Sequence, residues 1–211
     1  MRKTKPILFW DFDGVIFDSG ARVYQMWYEV MMKKGVHLSM EDFRKVFDGN
    51  SWQAFQDIGA EEKDKELYSK MERNRFNAFT SGEAFLLFPF MDEVIKELAK
   101  SYFHYIISNN QKVVIEDFLD HHDLRNNFQL ISGREDWRPK QEKMIECMQE
   151  VEQSPDQTWF VTDSVGDVRE GKNIEINTLA VTWGYHDYDR LKQSGATKVV
   201  LWPKEILEFL K

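Results

Sequence analysis

The chain has 211 residues and a formal net charge of −8 at neutral pH; at about 100–200 residues per domain, it holds one large domain or one domain with an insertion. Apolar residues make up 42% and charged residues 30%, which excludes fibrous, disulfide-rich and largely disordered proteins. The negative charge repels phosphate backbones and anionic lipids, so neither nucleic acid nor a membrane is an expected partner. A lone cysteine, Cys147, and the lack of a long apolar stretch predict a soluble cytoplasmic protein.

Six short apolar segments alternate with helical patterns along most of the chain. The first runs from Ile7 to Trp10 and ends abruptly in acidic residues. The other five lie at 102–107, 128–131, 158–161, 178–182 and 198–202, and most of them end in polar residues or glycine. This alternation predicts an α/β fold with a Rossmann-like, mostly parallel sheet and helical crossovers.

Residues 19–87 interrupt the alternation. Apolar residues at helical spacing predict a first helix that ends at Gly35, and further helices at 41–47, 51–58 and 61–79, with no strand among them. We interpret 19–87 as a small all-helical cap inserted after the first strand. Residues 1–18 and 88–211 then form the α/β core domain.

Polar side chains follow several of the predicted strands. In an open parallel sheet, ligands bind beyond the carboxyl ends of the strands. At those ends the sequence places Asp11, Asp13, Ser108, Asn109, Asp163 and Asp167. Carboxylates that converge on one crevice repel one another unless a cation neutralises them, and an all-oxygen ligand set suits a hard ion such as Mg²⁺.

The segment Asp11 to Ser19, Asp-Phe-Asp-Gly-Val-Ile-Phe-Asp-Ser, resembles the first motif of the haloacid dehalogenase-like hydrolase superfamily. Its phosphatase members carry Asp-x-Asp-Gly after the first strand. Ser108 resembles the second motif, Lys140 the third, and residues 162–167, Thr-Asp-Ser-Val-Gly-Asp, the fourth. The resemblance runs from about residue 6 to the C-terminus outside the helical insertion, and it points to the phosphoglycolate phosphatase-like branch with a helical cap.

The resemblance implies two reacting carboxylates and a magnesium ion. Asp11 would attack phosphorus and form an aspartyl-phosphate, while Asp13 would act first as general acid and then as base. Both roles suit a carboxyl group, since covalent catalysis divides phosphate-ester hydrolysis into two easier steps. Mg²⁺ would be held by Asp11, Asp163 and the backbone carbonyl of Asp13.

Further residues of the motifs would bind the phosphoryl group. Gly14 allows the chain to turn sharply and brings backbone N–H groups close to it. Ser108 and Asn109 supply neutral donors, with helix capping as an alternative role, and Lys140 supplies a positive charge. Asp167 is expected to anchor Lys140 or a metal-bound water.

Two positions depart from the family pattern, and one assignment has competitors. Thr162 replaces the usual glycine, which adds a side chain near the metal, and Asn110 follows Ser-Asn in the second motif. Arg138 and Lys143 compete with Lys140 for the third motif. Some family members have about the same interval between their lysine and the fourth motif as Lys140 to Asp163, whereas those with a Lys-Pro pair would place Arg138-Pro139 there. Lys140 is preferred, because a compact ammonium differs in geometry from a guanidinium fork.

Some side chains outside the motifs are also candidates. In the cap, Arg44, Trp52, Arg73 and Arg75 are candidates for facing a substrate, and the sequence does not choose among them. His186 follows the fifth strand and could approach the site, but a surface role is favoured.

The predicted function is a Mg²⁺-dependent phosphatase that acts on a small phosphorylated metabolite. A sugar-phosphate mutase, which passes the phosphoryl group to a second hydroxyl, is one alternative, and a non-catalytic module that binds phosphorylated ligands is another. A dehalogenase is disfavoured, because the resemblance implies that such members lack the aspartate present here as Asp13. The oligomeric state stays open.

Overall fold

The computed structural model describes residues 5–46, 51–67, 69–70 and 86–211. Six parallel strands form one sheet in the order β3-β2-β1-β4-β5-β6. They are β1 (Ile7–Trp10), β2 (Phe103–Ile107), β3 (Phe128–Ser132), β4 (Trp159–Thr162), β5 (Asn177–Val181) and β6 (Lys198–Val200). From β1 the chain adds β2 and β3 on one side of the sheet and then β4, β5 and β6 on the other, so the strand order reverses between β1 and β4. In α/β sheets, ligands bind in the crevice at such a switch point.

Helices cover both faces of the sheet, and further helices lie in the described part of the segment after β1. They are α1 (Gly20–Lys33), α2 (Met40–Val46), α3 (Ser51–Asp57), α4 (Met91–Leu98), α5 (Lys112–His121), α6 (Lys140–Glu150), α7 (Val165–Asn173), α8 (Tyr188–Gln193) and α9 (Pro203–Leu210). Short 3₁₀ helices lie at Glu62–Asp64, Arg125–Asn127 and Pro155–Gln157. No helix in the described ranges is long and apolar enough to cross a membrane.

The central strand β1 is buried along its whole length, as expected for a strand between two helical layers. Leu8 and Trp10 pack into the cluster that contains apolar side chains of α4, α5 and α9. Ile7 and Phe9 point to the other face and pack against α6. The predicted α/β fold with a parallel sheet is therefore confirmed, and β1 delivers the residue that follows it to the middle of one sheet edge.

The sixth strand is shorter than predicted. It ends at Val200, whereas the apolar pattern continues to Trp202. Trp202 is the N-cap of α9 and Pro203 its first residue. Because proline lacks a backbone N–H and has a φ suited to the first helical turn, the chain turns into the helix at this point.

The described part of the segment between β1 and α4 consists of helices and the loops that join them. Its apolar side chains form a cluster of their own, in which the Trp27 ring lies 5.0 Å from Phe43 and 5.1 Å from Phe55, centroid to centroid. The helices α2 and α3 lie where the sequence predicted them. The last predicted helix begins as a 3₁₀ turn and is helical at 65–67 and 69–70, while 71–79 lie outside the described residues.

A side chain of the core reaches these helices. The guanidinium of Arg190, in α8, donates hydrogen bonds to the carbonyl oxygens of Arg44 and Lys45 at 2.9 and 2.8 Å. These carbonyls belong to the last turn of α2, where the helix leaves its carbonyl groups without intrahelical partners. The contact joins the helical segment to the core beside the crevice.

Candidate active site

Asp11 is the first residue after β1 and lies at the switch point of the sheet. Its backbone N–H donates to the Val161 carbonyl oxygen of β4 at 2.9 Å, which continues the β1–β4 pairing by one residue. One carboxylate oxygen, Oδ1, accepts from the Phe12 backbone N–H at 2.7 Å. The side chain is thus held at the carboxyl ends of β1 and β4, where it is mostly buried.

Lys140, the first residue of α6, lies between two carboxylates. Its Nζ is 2.9 Å from Asp11 Oδ2 and 2.7 Å from Asp167 Oδ2. Burial alone would lower the pKa of Lys140, but the charges of these two carboxylates outweigh it and raise the pKa above its ordinary value. The lysine therefore stays charged next to Asp11.

The two competitors for the third motif face elsewhere. The Lys143 Nζ donates to the Gly133 carbonyl oxygen at 3.0 Å. Arg138 forms ion pairs with Asp136 and Glu146 on the surface, each at 2.7 Å. The geometry thus favours Lys140 as the cation beside Asp11.

The loop after β4 is built by short-range hydrogen bonds. The Thr162 hydroxyl donates to Asp167 Oδ2 at 2.7 Å and accepts from the Ser164 N–H at 3.2 Å. Ser164 caps α7 by accepting from the Asp167 N–H at 3.1 Å. The Thr162 hydroxyl therefore makes its hydrogen bonds within this loop, where it helps to hold the Asp167 carboxylate.

Asp163 is buried against two glycines. Its Oδ2 accepts from the Tyr185 backbone N–H at 2.7 Å. A Cβ atom at Gly14 or Gly184 would overlap the Asp163 carboxylate, and Gly14 has a φ of +77°, which side chains rarely adopt. Both glycines are therefore required for the carboxylate of Asp163 to reach this position.

Negative charge exceeds positive charge in this crevice. Burial raises the pKa of Asp11 well above its usual value; Lys140 opposes the rise, while Asp167 and Asp163 add to it. Burial likewise raises the pKa of Asp163 to about 7. Among the described residues, three carboxylates share one ammonium group in this crevice, so a bound cation would be electrostatically favourable.

Within the described residues, no three His, Cys, Asp or Glu side chains are gathered as metal ligands. The predicted set of two carboxylates, Asp11 and Asp163, with one backbone carbonyl does not require such a cluster. Mg²⁺ usually keeps several waters and binds through one or two carboxylates. The donor set therefore fits Mg²⁺ by its chemistry.

The second motif lies after β2, beside Asp13. The Ser108 N–H donates to the Ser132 carbonyl oxygen, and the Ser108 hydroxyl accepts from the Asn110 N–H, both at 3.0 Å. Asn109 is exposed, whereas Asn110 is buried. The Asn110 side-chain Nδ2 donates to Asp13 Oδ2 at 2.9 Å. Asn110, which stood out in the sequence only as a departure, is the residue that contacts Asp13.

The favoured surface role of His186 is wrong. Its side chain is 1% exposed, and its Nδ1 accepts from the Val165 backbone N–H at 2.9 Å, at the first residue of α7. The neighbouring Tyr185 holds Asp163 through its backbone. The loop after β5 thus fixes the fourth motif through the Tyr185 backbone and the His186 ring.

A cavity of about 220 Å³ opens between the core and the helical segment. It is lined by Gly14, Asp18, Gly20, Ala21, Met40, Phe43, Arg44, Phe88, Trp183, Gly184 and Tyr185. It therefore borders the glycines that enclose Asp163. Of the cap candidates, Arg44 lines the cavity, Arg73 and Arg75 lie outside the described residues, and the structure does not describe the side chain of Trp52.

The family model for haloacid dehalogenase-like hydrolases matches residues 7–181. The chain therefore belongs to this family, which confirms the resemblance seen in its four motifs. The match covers the sheet from β1 to β5 and all four motifs, and it ends before Gly184, Tyr185 and His186.

Two curated relatives are phosphoglycolate phosphatases. The one from Synechococcus elongatus is 25% identical over 126 residues, a match that covers 59% of this chain and 59% of that enzyme. The one from Psychrobacter arcticus is 21% identical over 92% of this chain and 90% of that enzyme. Their names agree with the phosphatase class predicted from the sequence.

Solved structures share the fold over nearly the whole chain. A haloacid dehalogenase-like family hydrolase from Streptococcus pneumoniae superposes with a TM-score of 0.82 at 21% identity, covering 98% of this chain and 99% of that one. A predicted phosphoglycolate phosphatase from Haemophilus somnus gives 0.81 at 14% identity, with full coverage of both chains. At these identities the likeness establishes the fold.

Proposed function

We propose that the protein is a Mg²⁺-dependent phosphatase that hydrolyses a small phosphate monoester through an aspartyl-phosphate on Asp11. The observation that carries the proposal is the placement of Asp11 at the switch point, with the charged Lys140 at 2.9 Å. Fixed positive charge beside a nucleophilic carboxylate stabilises the negative charge that spreads over a phosphoryl group during transfer.

In the first step, a carboxylate oxygen of Asp11 forms a bond to phosphorus as the bond between phosphorus and the leaving oxygen breaks. Asp13 gives its proton to the leaving oxygen, so the organic part of the substrate departs as an alcohol. The Lys140 ammonium and the donors of Ser108 and Asn109 are proposed to hold the phosphoryl oxygens.

In the second step, water attacks the phosphorus of the aspartyl-phosphate and gives a proton to Asp13. The bond between phosphorus and Asp11 breaks, which restores both carboxyl groups and releases inorganic phosphate. The sum is hydrolysis of one ester by one water. Asp167 contributes indirectly, since it holds the second side of the Lys140 ammonium at 2.7 Å.

Asp11, Asp163 and the backbone carbonyl of Asp13 are the proposed Mg²⁺ ligands. When bound, Mg²⁺ supplies positive charge that offsets the repulsion between the carboxylates and the phosphate. Burial of Asp163 against Gly14 and Gly184 gives that carboxylate a fixed position, and the Tyr185 N–H occupies one lone pair of its Oδ2. These contacts would hold the Asp163 carboxylate in a fixed position for metal binding.

The cavity beside the site sets the substrate's size and chemistry. A volume of about 220 Å³ suits a small metabolite. Among the described residues, its wall carries one cation, Arg44, and one carboxylate, Asp18, beside apolar side chains such as Met40 and Phe43. We propose that the organic part of the ester lies here with an anionic group on Arg44, and 2-phosphoglycolate, the substrate in the names of the relatives, is the first ester to test.

The test is release of inorganic phosphate from a panel of phosphate monoesters, with Mg²⁺ and with EDTA. Wild type should release phosphate only with Mg²⁺, and Asp11→Asn should release none. Asp123→Asn is the matched control: it makes the same chemical change at an exposed residue with a φ of 55°, which asparagine readily adopts. Phosphoryl transfer to a second hydroxyl would instead indicate a mutase, and ester binding without turnover a binding module.

A further inference from the structure

The carboxylate of Asp13 is held at one of its two oxygens. Oδ2 accepts from the Asn110 Nδ2 at 2.9 Å. Oδ1 is buried and has no hydrogen-bond partner among the described residues. Among the described residues, the Asn110 amide is therefore the hydrogen-bond donor that fixes this carboxylate.

The amide of Asn110 has one possible orientation. Its Oδ1 accepts from the Gln111 backbone N–H at 2.8 Å, so the opposite end of the amide, which faces Asp13, is the NH₂ group. The backbone of Asn110 is fixed on both sides as well. Its N–H donates to the Ser108 hydroxyl at 3.0 Å, and its carbonyl accepts from the Arg134 N–H at 2.8 Å.

This arrangement distinguishes the two oxygens of Asp13. An amide NH₂ group donates hydrogen bonds and accepts none, so Oδ2 must be the accepting oxygen whether Asp13 is charged or neutral. The amide thus sets the rotation of the carboxyl group.

We propose that Asn110 is the positioning residue for Asp13: by holding Oδ2 it fixes the orientation in which the carboxyl group meets the leaving oxygen and then the attacking water. The inference rests on the proposed function, in which Asp13 is the general acid and base. It assigns a role to the residue at which the second motif departs from the family pattern.

The test uses the dependence of rate on the leaving group. Asn110→Asp keeps the shape and the acceptor for the Gln111 N–H but replaces the donor that faces Asp13. The kcat/KM for an alkyl phosphate, whose leaving oxygen needs a proton, should fall about 10- to 100-fold, since general acid catalysis contributes about 10²–10⁴-fold. For p-nitrophenyl phosphate, whose leaving group needs no proton, we expect less than about a threefold loss.

A second variant and a control complete the test. Asn110→Ser is too short to reach Asp13 but retains an oxygen for the Gln111 N–H, and it should show the same selective loss. Asn177→Asp is the matched control, because Asn177 Nδ2 also donates to oxygens, the Asp156 and Thr158 carbonyls, but at the amino end of β5. It should leave both kcat/KM values near those of wild type.

Equal losses on both esters in the Asn110 variants, or no loss, would overturn the inference. Asp13→Asn separates this from a failure of the proposed function. If Asp13→Asn shows the selective loss and the Asn110 variants do not, the inference alone fails. If Asp13→Asn shows no selectivity, or if wild type hydrolyses neither ester, the proposed role of Asp13 fails and the inference fails with it.

Discussion

The ammonium group of Lys140 lies 2.7 Å from a carboxylate oxygen of Asp167. The same nitrogen lies 2.9 Å from Asp11, so the lysine is held by one carboxylate and positioned against another. All three side chains are buried, and removing one member of a buried ion pair costs about 3–5 kcal/mol. The contribution of Lys140 can therefore be tested separately from those of Lys143 and Arg138, because those two side chains have other partners.

Lys140→Met should lower kcat/KM for phosphate release at least about 100-fold, because the charge beside Asp11 is lost. Lys143→Met is the matched control: this lysine is also buried, but its Nζ contacts the Gly133 carbonyl. It should lower the melting temperature while keeping kcat/KM within about threefold of wild type. Steady-state kinetics on both variants tests this prediction. A larger loss of kcat/KM in Lys143→Met than in Lys140→Met would assign the third motif to Lys143.

Gly184→Ala should weaken Mg²⁺ binding. A Cβ at this position would overlap the Asp163 carboxylate and lie 2.5 Å from the Gly14 carbonyl oxygen. Asp163 must then shift, and we expect at least a tenfold weaker affinity and roughly 1–3 kcal/mol of destabilisation. Titration calorimetry with Mg²⁺ measures the affinity, with Gly20→Ala as control because its Cβ would meet only the Tyr185 ring at 4.0 Å. Unchanged Mg²⁺ affinity in Gly184→Ala would contradict the assignment of Asp163 as a ligand.

Arg44→Met should raise KM for an ester with a carboxylate group, such as 2-phosphoglycolate, by about tenfold and leave kcat within about threefold. This pattern is expected when an interaction binds substrate and transition state equally. Lys45→Met is the control on the same helix, since its ammonium pairs with Glu41 at 2.7 Å on the exposed face. If Arg44→Met does not change KM, the anionic group of the substrate binds elsewhere.

His104 should make the protein less stable in acid. Its side chain is fully buried in β2, and burial lowers its pKa from 6.5 to about 3, opposed only in part by the Leu98 carbonyl. Neither ring nitrogen makes a well-formed hydrogen bond among the described residues, so the contact with the Leu98 carbonyl is weak. The unfolded chain therefore binds a proton below pH 6.5 that the folded chain does not bind until about pH 3.

It follows that this contribution to the free energy of unfolding is fully present above pH 6.5 and is lost as the pH falls toward 3. Between about pH 8 and pH 5 the loss is on the order of 2 kcal/mol. Urea unfolding of wild type and His104→Phe across this range isolates the effect. As the pH falls, the free energy of unfolding should drop by about 2 kcal/mol more in wild type than in His104→Phe. A constant difference would contradict this, and His37→Gln, at an exposed histidine, should keep the wild-type pH dependence.

The sheet could be predicted because each strand is a short apolar run that polar residues end. The same signal placed Asp11 and Asp163 at the carboxyl edge, since each directly follows its strand. The end of β6 could not be predicted from apolar character, because Trp202 satisfies the pattern while the proline after it starts a helix. Hydropathy reports burial, and the backbone chemistry of a single residue decides where the strand stops.

The site was less predictable where backbone groups or side-chain direction decide it. Tyr185 holds Asp163 through its N–H, which every non-proline residue possesses, so no residue type signals it. His186 is buried by the same loop. Lys140 and Lys143 share one helix and one residue type, and only the packing of α6 against the sheet separates the carboxylate contacts of one from the carbonyl contact of the other.

The most direct test of the account is to trap the phosphoryl group on Asp11. Enzyme mixed with a substrate ester and Mg²⁺ is quenched in acid within its first turnover, digested and analysed by mass spectrometry. The account predicts a peptide heavier by one phosphoryl group, with the group on Asp11 and absent from Asp11→Asn. Turnover by wild type without any phosphorylated peptide, or with the group on another residue, would contradict Asp11 as the nucleophile.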